Sequence, residues 1–260
     1  MVYIKEYWNN KEWRAEKARL HTEKMEQEYS EEIRDSIANT IVYSADFKST
    51  KKSPEYDTKI ILNNCDSVGA LFEEITYTDS IAVLNFASYK NPGGMFMNGS
   101  KAQEECLCHE SFLYNVLKEF PAYYEWNNKH KNKALYLNRA LFSPGVFFEN
   151  DERSIVADVI TCAAPNISTG RKYQNVSDEE NTRVLKDRIR FVLDIAKENE
   201  VDSLVLGAYG CGVFGQDATE VAAIFKNFLE SEFKGCFVRV IFAIPDKNGE
   251  NYKKFKEVFK

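Results

Sequence analysis

The stretch that decides the fold runs from position 85 to position 105 and reads Asn85-Phe-Ala-Ser-Tyr-Lys-Asn-Pro-Gly-Gly-Met-Phe-Met-Asn-Gly-Ser-Lys-Ala-Gln-Glu-Glu105. It follows an apolar run, Ile81-Ala-Val-Leu84, whose unbroken hydrophobicity is typical of a strand buried on both faces. A glycine-containing loop then leads into a helix that we expect to open at Gln103. Two adjacent glutamates beside such a loop, at the end of a strand, indicate a functional site.

The helix that begins at Gln103 is predicted to continue until Pro121 limits it. Its predicted apolar face carries Ala102, Cys106, Leu113, Val116 and Leu117.

A second glycine loop reads Gly207-Ala-Tyr-Gly-Cys-Gly-Val-Phe-Gly215 and follows the apolar run Ser203-Leu-Val-Leu206. Seven of the twelve glycines lie in these two loops, and each loop precedes a predicted helix. In open α/β sheets, ligands bind at the carboxyl ends of strands, and glycine-rich backbone lets N–H groups converge on phosphate. Two such loops could grip a diphosphate, although both could also be tight turns. The spacing Gly210-x-Gly212-x-x-Gly215 resembles a dinucleotide fingerprint, but this spacing alone is a weak signal.

The adjacent pair Glu104 and Glu105 suggests acid–base chemistry. Consecutive side chains on a helix diverge by about 100°, so we expect the two carboxyls to have different tasks. One would act as general acid and base, and the other would bind substrate hydroxyls. The alternative is that glutamates in the first turn only complement the helix dipole.

Other reactive residues are less promising. Cys106 and Cys108 would lie about 200° apart on a helix and should not chelate one ion, so no metal site is expected. Cys211 has no histidine placed by sequence to activate it as a nucleophile. We expect no cofactor.

The remaining sequence predicts an α/β fold. Strands alternate with amphipathic helices in the C-terminal half, which predicts a parallel or mixed sheet covered on both faces. A further short strand is predicted over residues 73–78. Residues 4–38 are charged and helix-prone, with Trp13, Leu20 and Ile33 as expected docking residues. We therefore expect a helical extension over residues 1–38, packed on a core domain of residues 39–260.

Composition narrows the classes of function. The net charge of -6 argues against a general basic surface that binds nucleic acid. No apolar run reaches the roughly 18 residues of a membrane span, and residues 1–8 lack the pattern of a signal peptide. The six scattered cysteines are typical of reduced thiols, so a cytoplasmic location is expected.

The motifs together resemble those of bacterial-type poly(ADP-ribose) glycohydrolases, which carry three glycines followed by Gln-Glu-Glu. The resemblance covers about residues 10–245 and includes segments 141–151, 161–166 and 206–217. It implies a macrodomain-like three-layer α/β/α fold with a mixed central sheet and an N-terminal helical extension. It also implies hydrolysis of ribose–ribose bonds from chain ends, releasing ADP-ribose without a metal.

The resemblance further implies roles for individual residues. Glu105 would be the catalytic glutamate that first protonates the departing ribose oxygen and then activates water, and Glu104 would complete the catalytic pair by holding ribose hydroxyls. Gln103 would support both glutamates. The substrate-binding set implied by the resemblance comprises Asn85, Ser88, Gly93, Gly94, Gln103, Gly210, Cys211, Gly212, Val213 and Phe214. Of these, Gly93 and Gly94 would approach the distal ribose and the phosphates through backbone N–H groups. Residues 210–214 would form the second diphosphate grip, with Phe214 packed on the ligand. Asn85 and Ser88 would reach the ribose or its supporting shell.

One position departs from the family pattern, because Met95 replaces the third glycine. If that position needs a positive φ, the loop would shift. The expected partners are ADP-ribose, poly(ADP-ribose) or ADP-ribosylated macromolecules, with no membrane, and the chain is expected to be a monomer. The alternatives are a hydrolase of mono-ADP-ribosyl conjugates, a non-catalytic ADP-ribose-binding macrodomain, and an unrelated α/β protein whose loops are turns.

Overall fold

A computed structural model describes residues 10–74, 80–150, 152–245 and 249–260. Within these residues the strands form a seven-stranded mixed sheet in the order β1-β4-β5-β3-β6-β7-β2. The strands are β1 (Ile41–Tyr43), β2 (Lys59–Asn63), β3 (Ile81–Phe86), β4 (Ala140–Glu149), β5 (Ser154–Cys162), β6 (Ser203–Leu206) and β7 (Arg239–Ala243).

Strand β3 lies at the centre of the sheet. It pairs in parallel with β5 on one side and with β6 on the other. Its apolar run is buried throughout, as expected for a strand covered on both faces. Strands β6, β7 and β2 continue the parallel part, whereas β4 and β1 are antiparallel at the other edge.

The helices cover both faces. They are α1 (Lys11–Glu28), α2 (Ser30–Asn39), α3 (Ser67–Glu74), α4 (Gln103–His109), α5 (Leu113–Leu117), α6 (Pro121–Lys129), α7 (Ile167–Gln174), α8 (Asp178–Glu198), α9 (Ala218–Glu230) and α10 (Glu250–Val258). None of the described helices combines the length and the apolar character needed to span a membrane.

Two hydrophobic clusters show the three layers directly. Leu84 of β3 packs in a cluster with α8, α9 and α10, whereas its neighbour Val83 packs in a cluster with α1 to α6. Successive side chains of a strand point to opposite faces, so this alternation places one helical layer on each side of the sheet. The predicted three-layer α/β/α fold with a mixed sheet is confirmed.

The N-terminal helices pack on the core through a set of residues that differs in part from the expected one. Ile33 is buried, but Leu20 is 52% exposed. Ala18 and Met25 are fully buried instead. These two lie seven residues apart on one face of α1, and Leu20, two positions after Ala18, points about 200° away from that face. The prediction for Leu20 was wrong because the face of α1 that packs on the rest of the protein carries the small residue Ala18.

The predicted single helix from Gln103 to Pro121 was also wrong. Helix α4 ends at His109, where the Ser111 hydroxyl donates a hydrogen bond to the Leu107 carbonyl oxygen at 2.7 Å. Ser111 also forms an isolated bridge with Phe148 of β4, which interrupts the helix before α5. Of the strand predicted over residues 73–78, residues 73 and 74 belong to α3, and the rest lies outside the described residues.

Candidate active site

The two glycine loops meet at the carboxyl ends of neighbouring strands. The first loop follows β3 and the second follows β6, and these strands pair through Val83 and Val205. A cavity of about 330 Å³ lies between the loops and is lined by Phe86, Ala102, Gln103, Ala164, Ala208, Gly210, Gly212, Val213 and Phe214. The predicted juxtaposition of the loops therefore produces a cleft.

Glu105 is held by the loop that precedes its own helix. It is only 5% exposed. Its Oε1 accepts a hydrogen bond from the N–H of Met95 and its Oε2 accepts one from the N–H of Ala102, each at 2.8 Å. The second bond is one half of a capping box, in which the third helical residue reaches back to the N-cap. Both oxygens are thereby fixed relative to the loop.

Glu104 lies deeper, against the end of β3. Its Oε2 accepts a hydrogen bond from the N–H of Ser88 at 2.6 Å, and its Oε1 accepts one from Asn85 Nδ2 at 3.3 Å. Burial raises the pKa of Glu104 to about 8, and the nearby Glu105 carboxyl raises it further, against the opposing effect of the hydrogen bonds. The carboxyl is therefore neutral near physiological pH.

Gly94 shows that the two carboxyls converge. A Cβ atom placed on Gly94 would lie 2.5 Å from Glu105 Oε1 and 2.9 Å from Glu104 Oε2. The two oxygens thus lie within 2.9 Å of one point, although their Cα–Cβ bonds diverge on the helix. Both side chains bend toward the glycine loop, so the two carboxyls lie near the same point although they leave the helix in different directions.

Gly93 and Gly94 act differently from the prediction. Both have φ of +62°, which an L-residue rarely adopts. Their N–H groups point inward: Gly94 donates to the Asn91 carbonyl oxygen at 3.1 Å, and the N–H of Gly93 is among the bonds that lower the pKa of Glu104. In this structure they shape the turn over the glutamates and do not present these N–H groups to the cleft.

Met95 fits the loop without strain. Its φ is −115°, so the position does not require the left-handed backbone that favours glycine. Its N–H is used by Glu105, and its side chain is 45% exposed. The replacement of the third family glycine therefore leaves the geometry around Glu105 intact.

Two further predicted residues connect the start of α4 with the end of β3. Gln103 accepts a hydrogen bond from the Phe86 N–H at 2.8 Å and donates to the Leu84 carbonyl oxygen at 2.9 Å and to Ser67 Oγ at 3.0 Å. The side chain of Asn85 is fully buried and bonds Glu104 and Thr161 Oγ1. Asn85 therefore supports Glu104 from beneath and is not among the residues that line the cleft.

The hydroxyl of Ser88 stabilises the turn that follows it. Ser88 Oγ accepts hydrogen bonds from the N–H groups of Lys90 at 3.4 Å and Asn91 at 3.2 Å. It is the N–H of Ser88, not the hydroxyl, that bonds Glu104.

The second loop offers free donors to the cleft. The N–H groups of Gly212, Val213 and Phe214 make no hydrogen bond to another described residue. Val213 is 86% exposed, and Gly210 and Phe214 line the cavity. Unpartnered backbone N–H groups at the rim of a cleft can bind an anionic group.

Cys211 does not share this role. Its N–H donates to the Ala208 carbonyl oxygen at 3.0 Å, and its thiol donates to the Tyr209 carbonyl oxygen. Burial raises the pKa of the thiol to about 12, so the thiolate needed by a nucleophile is not formed near neutral pH. Cys211 therefore shapes the turn and is not part of the diphosphate grip that was predicted.

An adjoining cavity was missed by the sequence reasoning. It has a volume of about 220 Å³ and shares Phe86, Ala102, Gln103 and Ala208 with the first cavity. Its other walls come from elements far apart in sequence: Asp66, Ser67, Val68, Lys101, Cys106, Leu107, Ala243, Ile244, Pro245 and Asn251. A signal was present, since Asp66 follows β2 at the carboxyl edge, but only the sheet order brings β2 and β7 next to each other.

Metal-binding side chains are not assembled around the cleft. Within the described residues, no group of three or more His, Cys, Asp or Glu side chains could hold an ion. Cys106 is half-buried and its thiol donates to the Lys101 carbonyl oxygen, whereas Cys108 is buried against Gly93.

Comparisons with known proteins agree with this geometry. A search of curated proteins found no match. Among solved structures, the poly(ADP-ribose) glycohydrolase of Thermomonospora curvata is 29% identical, with a TM-score of 0.86 over 95% of this chain and 99% of that one. The same enzyme bound to the inhibitor ADP-HPD gives a TM-score of 0.82 at 29% identity, over 94% of this chain and 98% of that one.

A second organism gives a similar result. The poly(ADP-ribose) glycohydrolase of Deinococcus radiodurans in complex with ADP-ribose is 30% identical, with a TM-score of 0.81 over 88% of this chain and 97% of that one. The family model for the catalytic domain of microbial-type PARG matches residues 12–151, which include both glutamates and the first glycine loop. The chain belongs to the microbial-type poly(ADP-ribose) glycohydrolase family.

Proposed function

We propose that the cleft hydrolyses the ribose–ribose O-glycosidic bond of poly(ADP-ribose) and releases ADP-ribose from chain ends. The observation that carries this proposal is the convergence of Glu104 and Glu105 beneath Gly94, beside a loop with free N–H groups. A glycosidic bond needs an acid at the leaving oxygen and a base for the attacking water.

Glu105 performs both proton transfers in this proposal. In its protonated form it gives the proton to the departing ribose oxygen as the bond to the anomeric carbon breaks. Water then attacks the oxocarbenium-like centre, and the Glu105 carboxylate takes the proton that the water loses. The hydrogen bonds from Met95 and Ala102 hold the carboxyl in place throughout.

Glu104 positions the substrate. Because its carboxyl is neutral near pH 7, the site does not hold two adjacent negative charges. A neutral carboxyl can also donate a hydrogen bond to a ribose hydroxyl while it accepts those from Ser88 and Asn85.

The rest of ADP-ribose follows the cleft. The diphosphate lies on the N–H groups of Gly212, Val213 and Phe214. The adenine occupies the cavity of about 220 Å³, whose walls include Val68 and Ile244. Apolar walls suit an aromatic base, and the Asp66 carboxylate at the rim can accept from its exocyclic amine.

The test is release of ADP-ribose from defined polymer by wild type, Glu105→Gln and Glu104→Gln. We expect Glu105→Gln to lose at least about a hundredfold in kcat, since both proton transfers fail. Both variants should still bind ADP-ribose in calorimetry. Equal turnover by wild type and Glu105→Gln would refute the role of Glu105.

Two alternative functions, a hydrolase of mono-ADP-ribosyl conjugates and a non-catalytic reader, are distinguished by assays with different substrates. The same carboxyl pair would serve a mono-ADP-ribosyl conjugate, since only the leaving group differs. Higher kcat/KM on such a conjugate than on polymer would select that substrate. Binding of ADP-ribose with no turnover of any substrate would select a non-catalytic reader.

Three further statements belong to this proposal. It remains a prediction that residues 1–38 form an extension and residues 39–260 a catalytic domain. The monomeric state and the cytoplasmic location also stay predictions. All six cysteines are free thiols in the structure, which supports a reducing compartment. Light scattering of the purified chain tests the monomer, and fractionation of the source cells tests the location.

A further inference from the structure

Residues 129–139, named here the exit segment, lie next to the cleft, because Tyr136 packs against Phe214, which lines it. They lie on the side away from the cavity of about 220 Å³ proposed for adenine, named here the adenine cavity. The segment leads into β4 at Ala140, and Ala140 pairs with Cys162 at the carboxyl end of β5. In the sheet order, β5 flanks β3 on one side, whereas β6, β7 and β2 lie on the other side with the adenine cavity. The glutamates above β3 therefore stand between the adenine cavity and the exit segment.

The backbone of the exit segment is unusual. Asn132, Lys133, Ala134 and Tyr136 have φ of +42°, +54°, +69° and +62°. Asparagine tolerates this left-handed region, but lysine, alanine and tyrosine rarely adopt it. Backbone strain of this kind clusters at ligand clamps and active sites, where the surrounding structure holds it in place.

Aromatic contacts connect the segment to both loops. The ring of Tyr136 stacks on Tyr89, with 3.9 Å between centroids and an interplanar angle of 14°. Tyr89 follows Ser88, whose N–H bonds Glu104. Tyr136 also approaches Phe214 of the second loop, with 6.2 Å between centroids. The exit segment thus packs against the second loop and against the residue that follows the Ser88 N–H bound to Glu104.

Its surface is cationic in a chain of net charge -6. Lys129, Lys131 and Lys133 are exposed, and Lys90 of the first loop is exposed as well. Lys133 pairs with Glu180 at 3.1 Å. Lys129 and Lys131 form no ion pair with a described residue, so their charges remain available for an anionic ligand.

We propose that the exit segment binds the diphosphate of the ADP-ribose unit on the leaving side of the scissile bond, chiefly through Lys129 and Lys131. The inference rests on the proposed function, because only a polymer has a second diphosphate on that side. The substrate therefore spans two sites: the terminal unit lies in the cleft, and the next unit lies on the exit segment.

The experiment measures binding with hydrolysis stopped. In the Glu105→Gln background, Kd is measured for free ADP-ribose and for a two-unit oligomer. The test variant carries Lys129→Gln and Lys131→Gln. The matched control carries Lys52→Gln and Lys234→Gln, two exposed lysines that precede β2 and β7 and so lie at the opposite edge of the sheet. Both variants change the net charge equally.

We expect the oligomer to bind tighter than ADP-ribose, and the test variant to lose about fivefold or more of its affinity for the oligomer only, as two exposed ion pairs predict. The salt dependence of oligomer binding should become shallower in the test variant and not in the control. The inference is overturned if the oligomer binds no tighter than ADP-ribose, or if test and control variants bind it equally.

The two hypotheses fail in different ways. Failure of the proposed function would appear in the wild-type chain as no release of ADP-ribose from polymer. Failure of the inference would leave that turnover intact and show only in the oligomer affinities of the lysine variants.

Discussion

The backbone of Gly94 lies directly over the carboxylate of Glu105, so that a Cβ atom there would stand 2.5 Å from Oε1. This contact explains why the loop needs glycine at position 94 and accepts methionine at position 95. The first position has a φ of +62° and no room, whereas the second has a φ of −115° and an exposed side chain.

Gly94→Ala should inactivate the enzyme while the fold persists. The added methyl group displaces Glu105, the proposed acid and base, and a displacement of about 1 Å at such a group costs about a hundredfold in rate. The left-handed backbone adds about 1–2 kcal/mol of destabilisation. Turnover and denaturant unfolding check this, with Gly212→Ala as the stability control, because a Cβ at Gly212 meets nothing within 4 Å. Near-normal turnover by Gly94→Ala would contradict the geometry.

Substitutions at Met95 should distinguish the contribution of its side chain to activity from that of its backbone N–H. Met95→Gly and Met95→Ala leave the bond to Glu105 in place, so kcat/KM should stay within about threefold of wild type. Met95→Pro removes the N–H and should reduce kcat by about a hundredfold. Steady-state kinetics on polymer measures both effects. A large gain from Met95→Gly would mean that the methionine side chain obstructs the substrate.

The neutral state of Glu104 predicts a pH dependence. Its pKa of about 8 means that the carboxyl loses its proton as the pH rises through 8, so kcat/KM should fall there. Glutamine resembles the neutral acid, so Glu104→Gln should retain more activity than Glu104→Ala and should lose the alkaline fall. A pH–rate profile for the three proteins decides this. An unchanged alkaline limb in Glu104→Gln would assign the titration to another group.

The same pKa predicts an effect on stability. Because the folded-state pKa is raised above the unfolded value, the folded protein binds more protons between about pH 4.5 and pH 8. The free energy of unfolding should therefore fall as the pH rises across this window, by at most about 1.4 kcal/mol per pH unit. Glu104→Gln should flatten this slope. Urea unfolding at pH 5, 6, 7 and 8 measures it, and parallel slopes for the two proteins would contradict the assignment.

Arg14 links the N-terminal helix to the catalytic loop. Its Nε donates a hydrogen bond to the Gly99 carbonyl oxygen at 2.7 Å, and the side chain is only 5% exposed. Arg14→Ala should cost about 2–3 kcal/mol in stability, since a charged hydrogen bond and buried packing are both lost. Arg19→Ala, an exposed arginine on the same helix, is the matched control. Equal unfolding midpoints for the two variants would contradict the role of Arg14.

Much of the fold was predictable because buried strands have a simple signature. The continuous apolar runs of β3 and β6 indicated buried strands, and the alternation of strands with amphipathic helices indicated a sheet covered on both faces. Errors came from contacts between distant segments. Leu20 was predicted to pack on the core, but Ala18 on another face of α1 is buried there instead. The helix after Gln103 is interrupted by a bridge from Ser111 to Phe148.

The site was predictable in its residue types and less so in its geometry. Sequence placed both glutamates and both loops together and gave the two carboxyls different tasks, but their convergence on Gly94 depends on side-chain conformations that helical periodicity does not give. It also counted Cys211 in the diphosphate grip, because the direction of a backbone N–H depends on the assembled loop. The cavity of about 220 Å³ could not be read from sequence, since β2 and β7 become neighbours only through the sheet order.

The backbone bonds to the two glutamates also have a spectroscopic consequence. Met95 and Ala102 donate their amide protons to Glu105, whereas Ser88 donates its amide proton to Glu104. Each carboxyl thus has its own reporter nuclei, and their nitrogen chemical shifts should follow the ionisation of one glutamate without a label on the side chain. A titration by NMR can therefore resolve which of the two adjacent acids carries a proton at each pH.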